Sequence, residues 1–218
     1  MSQAIVFFDI DGVIFDAKKF FISFYEKFAH VNNLTNEQTE KLKELYGEVK
    51  KEKGFFDPQV FLAKILSQYS IAKEDLERLW WDEKSFRECL LVDEDFLKQI
   101  QEKAIIGIFS KGEINFQKKK IEKFASFFKS QDIYIFEDKI VKINEVLAKY
   151  KNYQIYVVDD NVDVLESFKQ IDNLVYTVLI REEQTESSNN KTDSVIDNVL
   201  QLVPLLTQKL PLNRLEIF

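Results

Sequence analysis

Several residue types are scarce in these 218 residues: one cysteine, one histidine, five glycines and three prolines. The lone Cys89 excludes an intrachain disulfide, and with only His30 beside it no zinc site of Cys and His ligands can be assembled. So little Gly and Pro excludes a collagen-like or Pro/Gly-rich disordered chain. Basic excess is missing as well. Thirty Lys and Arg against 37 Asp and Glu leave a net charge of −7, whereas a general nucleic-acid binder needs a basic face to displace counterions. Nucleic acid is therefore not an expected partner. The apolar amino end, MSQAIVFFDIDGVIF, lacks a basic start and is interrupted by acids from Asp9 onward. It is too short for a leader followed by a cleavage site and far short of a membrane span. The expectation is a cytoplasmic protein with no membrane partner.

What is present is a large apolar supply: 45% of the residues are hydrophobic and 20 are Phe, enough for one or two domains with a substantial core. Short apolar runs recur at Ala4–Phe8, Ala104–Phe109, Ile133–Phe136, Ile155–Val158 and Leu174–Ile180. Each is continuous rather than alternating, which suits strands buried on both faces of a parallel sheet. Between them lie helical patterns. Asp93 is placed to cap a helix with Phe96, Leu97 and Ile100 on one face; Ile143, Val146, Leu147 and Tyr150 form another, and Val162, Leu165 and Phe168 a third. This alternation predicts an α/β, doubly wound parallel sheet.

The interval 16–89 differs. It holds no strand run, and it carries helical periodicity in Glu37–Lys53 and in Gln59–Tyr69, the latter after the helix-start pair Asp57-Pro58. It reads as an all-helical insertion after the first strand. Within it, Trp80 and Trp81 read as packing between helices. The lysine runs Lys50–Lys53 and Lys118–Lys120 read as solvated helix faces. Glu182–Asp193 reads as a surface loop, Ser194–Leu206 as a final helix and PLNRLEIF as a strap or frayed end.

Ligands of an open parallel sheet collect beyond the carboxyl ends of the strands. The residues immediately after each run are therefore informative. Asp9-Ile10-Asp11-Gly12 succeeds the first, Ser110-Lys111-Gly112 the second, Glu137-Asp138-Lys139 the third, and Asp159-Asp160-Asn161-Val162-Asp163 the fourth. An acid cluster on one edge repels itself unless a divalent cation joins it. A hydroxyl, backbone N–H groups and a lysine suit a phosphoryl group. The constellation asks for Mg²⁺ and phosphate.

With these residues in order, the sequence resembles the haloacid dehalogenase-like (HAD) hydrolase superfamily. IVFFDIDGVIFD is similar to its motif I, IIGIFS to motif II ending in Ser110, and IYVVDDNVD to motif IV in its paired-acid form. The motif III lysine is Lys139, or Lys142 three residues on; the Lys-Pro pair of many members is absent. The resemblance implies a Rossmann-like core of residues 1–15 and 90–218 and a cap of the C1 type at 16–89. It implies Asp9 as nucleophile and Asp11 as general acid and base. Mg²⁺ would be held by Asp9, the Asp11 carbonyl and Asp160, and phosphate by Ser110, Lys139, Lys111 and the Gly12 backbone. Asp159 and Asp163 would have supporting roles, Asp163 as metal support or helix cap. Dehalogenases of the superfamily lack the second acid of motif I, so the expected substrate is a small phosphate monoester. A catalytically silent module and a phosphotransferase or mutase of the same fold are the alternatives. The paired acids also resemble those that open a receiver domain, but too few residues come after them for that fold.

Overall fold

The computed structural model describes residues 3–181 and 192–209. Its centre is a parallel sheet of six strands in the order β3-β2-β1-β4-β5-β6. These are β1 (Ala4–Phe8), β2 (Ile105–Lys111), β3 (Ile133–Phe136), β4 (Gln154–Asp159), β5 (Tyr176–Ile180) and β6 (Ser194–Ile196). The five expected apolar runs all form strands. β2 extends two residues further than its apolar run, so Ser110 and Lys111 lie within it, paired with Ile135 and Phe136.

Period-two alternation divides each buried strand between two cores. In β1, Val6 and Phe8 join one apolar cluster, while Ile5 and Phe7 join the other. The second cluster is closed by α8 (Ile143–Lys149) and α9 (Val162–Ile171), through Val146, Leu147, Leu165 and Phe168. The first is closed by α6 (Glu94–Gln101), α7 (Ile114–Lys120) and α10 (Leu202–Lys209). Asp93 caps α6 as expected, its carboxylate accepting from the Phe96 N–H at 2.8 Å.

Between β1 and α6 the named elements are all helices: α1 (Ala17–Val31), α2 (Asn36–Lys53), α3 (Pro58–Gln68), α4 (Lys73–Trp80) and α5 (Glu83–Glu88), with Phe15 bridged to Asp11 and Leu90 at their base. Local chemistry explains the starts. Thr35 and Gln38 form a reciprocal capping box on α2, and Asp57 caps α3 with Pro58 in its first turn. These helices share the first apolar cluster with the sheet, through Phe20, Phe24, Phe61 and Trp80. A ring seam joins them to α7, where Trp80 stacks on Phe116 at 5.4 Å. Two backbone ties close the base of the segment: the Asp16 N–H donates to the Cys89 carbonyl and the Leu91 N–H to the Ile14 carbonyl, both at 2.8 Å.

Two expectations are corrected. Ser194–Leu206 is not one helix: Ser194–Ile196 pairs with β5 as an edge strand, and α10 begins only at Leu202. Asp193 forces this, because its carboxylate takes the Thr177 N–H and hydroxyl at 2.8 and 2.9 Å and lays the chain along β5. Lys118–Lys120 is not a uniformly solvated face, since Lys120 is buried. The expected loop at 182–193 falls mostly, and the tail PLNRLEIF wholly, outside the described residues. No helix among the described residues is long and apolar enough to cross a membrane.

Candidate active site

β1 lies between β2 and β4, so the connections run to opposite sides from it. The crevice at such a switch point is where this architecture binds ligands. Register places the acids there. Phe8 pairs with Val158, so the next residues, Asp9 and Asp159, stand side by side, and the Asp9 N–H continues the ladder to the Val158 carbonyl at 2.9 Å. Alternation puts both carboxylates on the face of Ile5, Phe7, Ile155 and Val157.

On that face Lys139 bridges them. Its ammonium lies 3.0 Å from Asp9 Oδ2 and 2.6 Å from Asp159 Oδ2, and all three residues are buried. Burial opposes the charge on Lys139, but Asp9 and Asp159 outweigh it and hold the ammonium above the ordinary lysine range. Lys142 is half-buried and pairs with Glu145 instead. The structure thus brings Lys139, and not Lys142, to the acids.

Asp160 completes the cluster. One carboxylate oxygen from each of Asp9, Asp159 and Asp160 lies within 4.8 Å of the others. Asp160 is exposed at the rim of the cluster, yet partial loss of hydration at its carboxylate, then the Asp9 charge, pushes it up to about 6; burial with Asp9 raises Asp159 above the carboxylate range against the pull of Lys139. With every group ionised, three carboxylates around one ammonium carry a net charge of two minus, and after burial it is this mutual repulsion that raises Asp159 and Asp160. Gly12 makes the approach of Asp160 possible. Its φ is +74°, and a Cβ there would stand 2.3 Å from Asp160 Oδ2.

Ser110 is the penultimate residue of β2, two positions beyond Ile108, which pairs with Phe8. It is 1% exposed, and its hydroxyl has no hydrogen-bond partner among the described residues. A buried hydroxyl left unpaired costs roughly 1–3 kcal/mol, which suits a position awaiting a ligand oxygen.

The remaining expected residues are placed less centrally. Lys111 is exposed at the strand end. Asp163 is exposed in the first turn of α9 and lies outside the cluster; the capping role falls to Asn161, whose side chain accepts from the Asp163 N–H. Asp11 is also outside the three-acid cluster. Both its carboxylate oxygens are held by the Lys120 ammonium, at 2.7 and 2.8 Å, and one also by Gln117 at 3.0 Å. Sequence reasoning missed Lys120 and Gln117. The available signal was helical spacing: Lys120 is four residues from the buried Phe116 and shares its face.

The donor set is all oxygen, without His or Cys, and its excess charge matches a hard divalent cation. Asp9, Asp160 and backbone carbonyls are the groups suited to hold one.

No protein-family model matches the sequence, and no curated protein matches it. Solved structures do. A protein from Burkholderia xenovorans LB400, assigned as a haloacid dehalogenase-like hydrolase, superposes with a TM-score of 0.75 at 18% identity over 93% of this chain and 98% of its own. YfnB from Bacillus subtilis, assigned as a HAD hydrolase and bound to magnesium, gives 0.64 at 16% over 94% and 99%. A HAD phosphatase from Thermococcus onnurineus gives 0.64 at 17% over 94% and 97%. 2-Haloacid dehalogenases are among the matches too. The chain has the HAD-like hydrolase fold.

Proposed function

We propose that this protein is a Mg²⁺-dependent hydrolase of small phosphate monoesters that works through an aspartyl-phosphate. The observation that carries the reading is the convergence of Asp9, Asp159, Asp160 and Lys139 at the β1/β4 junction with two negative charges in excess. Mg²⁺ would supply the missing positive charge and draw a phosphoryl oxygen toward the Asp9 carboxylate.

The chain's own groups have distinct work. Asp9 Oδ1 accepts the Ile10 N–H at 2.8 Å and Oδ2 meets Lys139, so the carboxylate is oriented before substrate arrives. It attacks phosphorus; the bond to the leaving oxygen breaks and that oxygen takes a proton from Asp11. Water then attacks the same phosphorus, gives its proton to Asp11, and Asp9 is released as carboxylate. Ser110 and Lys139 grip non-bridging oxygens in a loose, in-line transition state. Asp159 keeps Lys139 in place.

The leaving group separates this reading from carbon–halogen cleavage. A departing halide needs no proton, so the acid role given to Asp11 would have no use there. The test offers 4-nitrophenyl phosphate with Mg²⁺ or EDTA, and 2-chloropropionate in parallel. Phosphate release that requires Mg²⁺ and vanishes in Asp9→Asn is expected; halide release without phosphate release contradicts the proposal. A screen of phosphorylated metabolites then defines the substrate, since pocket contacts rather than fold decide it.

A further inference from the structure

Lys120 is a buried cation that the chemistry above does not use. It is 3% exposed, its ammonium holds both oxygens of Asp11, and it lies 4.3 Å from the centre of the Phe116 ring and 5.5 Å from that of Phe15. Burying an ammonium costs several kcal/mol before its partner offsets it, and an ordered lysine loses rotamer freedom as well. Methionine or leucine would fill this seat beside two phenyl rings without the cost of burying a charge. The fold therefore does not explain the residue; what the residue does is hold Asp11.

The rest of the seat is built to the same end. Gln117 is also buried, and its amide N–H₂ donates to Asp11 Oδ2 at 3.0 Å and to the Lys111 carbonyl at 2.9 Å, linking Asp11 to the end of β2. Gly112 leaves room for that amide, because a Cβ there would stand 2.6 Å from Gln117 Nε2. A carboxylate on a loop after a strand end would otherwise turn among rotamers. Here Gln117 and Lys120, two side chains of α7, fix it together.

We propose that Lys120, with Gln117, is a positioning residue for Asp11, an inference that rests on the acid–base role given to Asp11 above. Proton delivery to a leaving oxygen requires a heavy-atom distance of roughly 2.6–3.2 Å, and a misplacement of about 1 Å costs on the order of 100-fold in rate. The cradle keeps the carboxylate where that distance can be met. The consequence is specific to the first half of the reaction: formation of the aspartyl-phosphate depends on Lys120 for esters whose leaving group needs a proton, and not for esters whose leaving group departs as a stable anion.

The experiment compares glycerol phosphate, which leaves as an alkoxide unless protonated, with 4-nitrophenyl phosphate, both with Mg²⁺. Lys120→Met keeps the apolar seat and removes the charge. It is expected to lower kcat/KM, which reads the steps up to departure of the leaving group and not the later attack of water, by about 10–100-fold for glycerol phosphate and by less than about threefold for the aryl ester, as loss of general acid catalysis does. Asp11→Asn should show the same pattern, and the double variant should be no worse than Asp11→Asn alone. Gln117→Met, which removes only the amide, should give a smaller loss with the same selectivity, and it carries the test if Lys120→Met does not fold. Equal losses of kcat/KM on both esters, additive losses in the double variant, or faster turnover of glycerol phosphate by Lys120→Met would overturn the inference while leaving the phosphatase reading standing. No Mg²⁺-dependent turnover of either ester by the unaltered protein would overturn both.

Discussion

Asp9 and Asp159 share one ammonium, with Lys139 Nζ at 3.0 Å from the first and 2.6 Å from the second. They are encoded at the ends of β1 and β4, and the pairing of Phe8 with Val158 is what makes them neighbours. The shared cation ties the stability of the sheet edge to the chemistry placed there.

Lys139→Met leaves two buried carboxylates without their counter-charge. Removing one partner of a buried pair costs about 3–5 kcal/mol. The variant is expected to unfold at lower urea than the unaltered protein in EDTA, and Mg²⁺ should recover part of the difference. A midpoint unchanged in EDTA contradicts the shared-cation arrangement.

Gly12→Ala places a methyl group 2.3 Å from Asp160 Oδ2 at a backbone φ of +74°. The conformation alone costs on the order of 1–2 kcal/mol for an L-residue. The larger effect expected is on Mg²⁺ affinity, because Asp160 must move; titration calorimetry of Mg²⁺ against both proteins reads it, and equal affinities would count against Asp160 as a ligand.

Asp160 gives the pH dependence. Lost hydration, then Asp9, raises it to about 6 in the folded chain, against roughly 3.9 when unfolded. The folded state therefore holds this proton more tightly. Its contribution to stability is fully present below pH ~3.9 and is lost as pH rises through about 6. Urea midpoints of the metal-free protein at pH 5, 6 and 7, referred to those of Asp160→Asn, should show that decline. A rise over the same range contradicts it.

Tyr150 donates to Asp132 at 2.5 Å behind β3, and Asp132 is 2% exposed. Tyr150→Phe leaves that carboxylate short of a donor, an expected loss of about 1–3 kcal/mol in the free energy of unfolding, with phosphatase activity at low temperature retained. Full stability in the variant would show that Asp132 finds another donor.

Much of this was legible in the sequence for a physical reason. Strands buried on both faces must be continuously apolar, so the first polar residues after Phe8, Phe136 and Val158 mark one sheet edge, and the acids there declare themselves. In β2 the strand runs on through Ser110 and Lys111, so these polar residues lie inside the strand, paired with β3, and not beyond its end. The short strand Ser194–Ile196 was not legible, since three residues carry no period and the contact that aligns them is Asp193 with Thr177, 16 residues apart. Nor was Lys120. In a run of three lysines the buried one is chosen by Asp11, 109 residues earlier in the chain, and local pattern holds no trace of that partner beyond the shared face with Phe116.

The most direct measurement of the central claim is acid quenching during turnover of a phosphate monoester with Mg²⁺, then mass analysis of the peptide that contains Asp9. The account predicts one phosphoryl group on Asp9 that appears only with Mg²⁺ and decays on the timescale of turnover. Turnover with the label on another residue, or with Asp9→Asn as active as the unaltered protein, would contradict it.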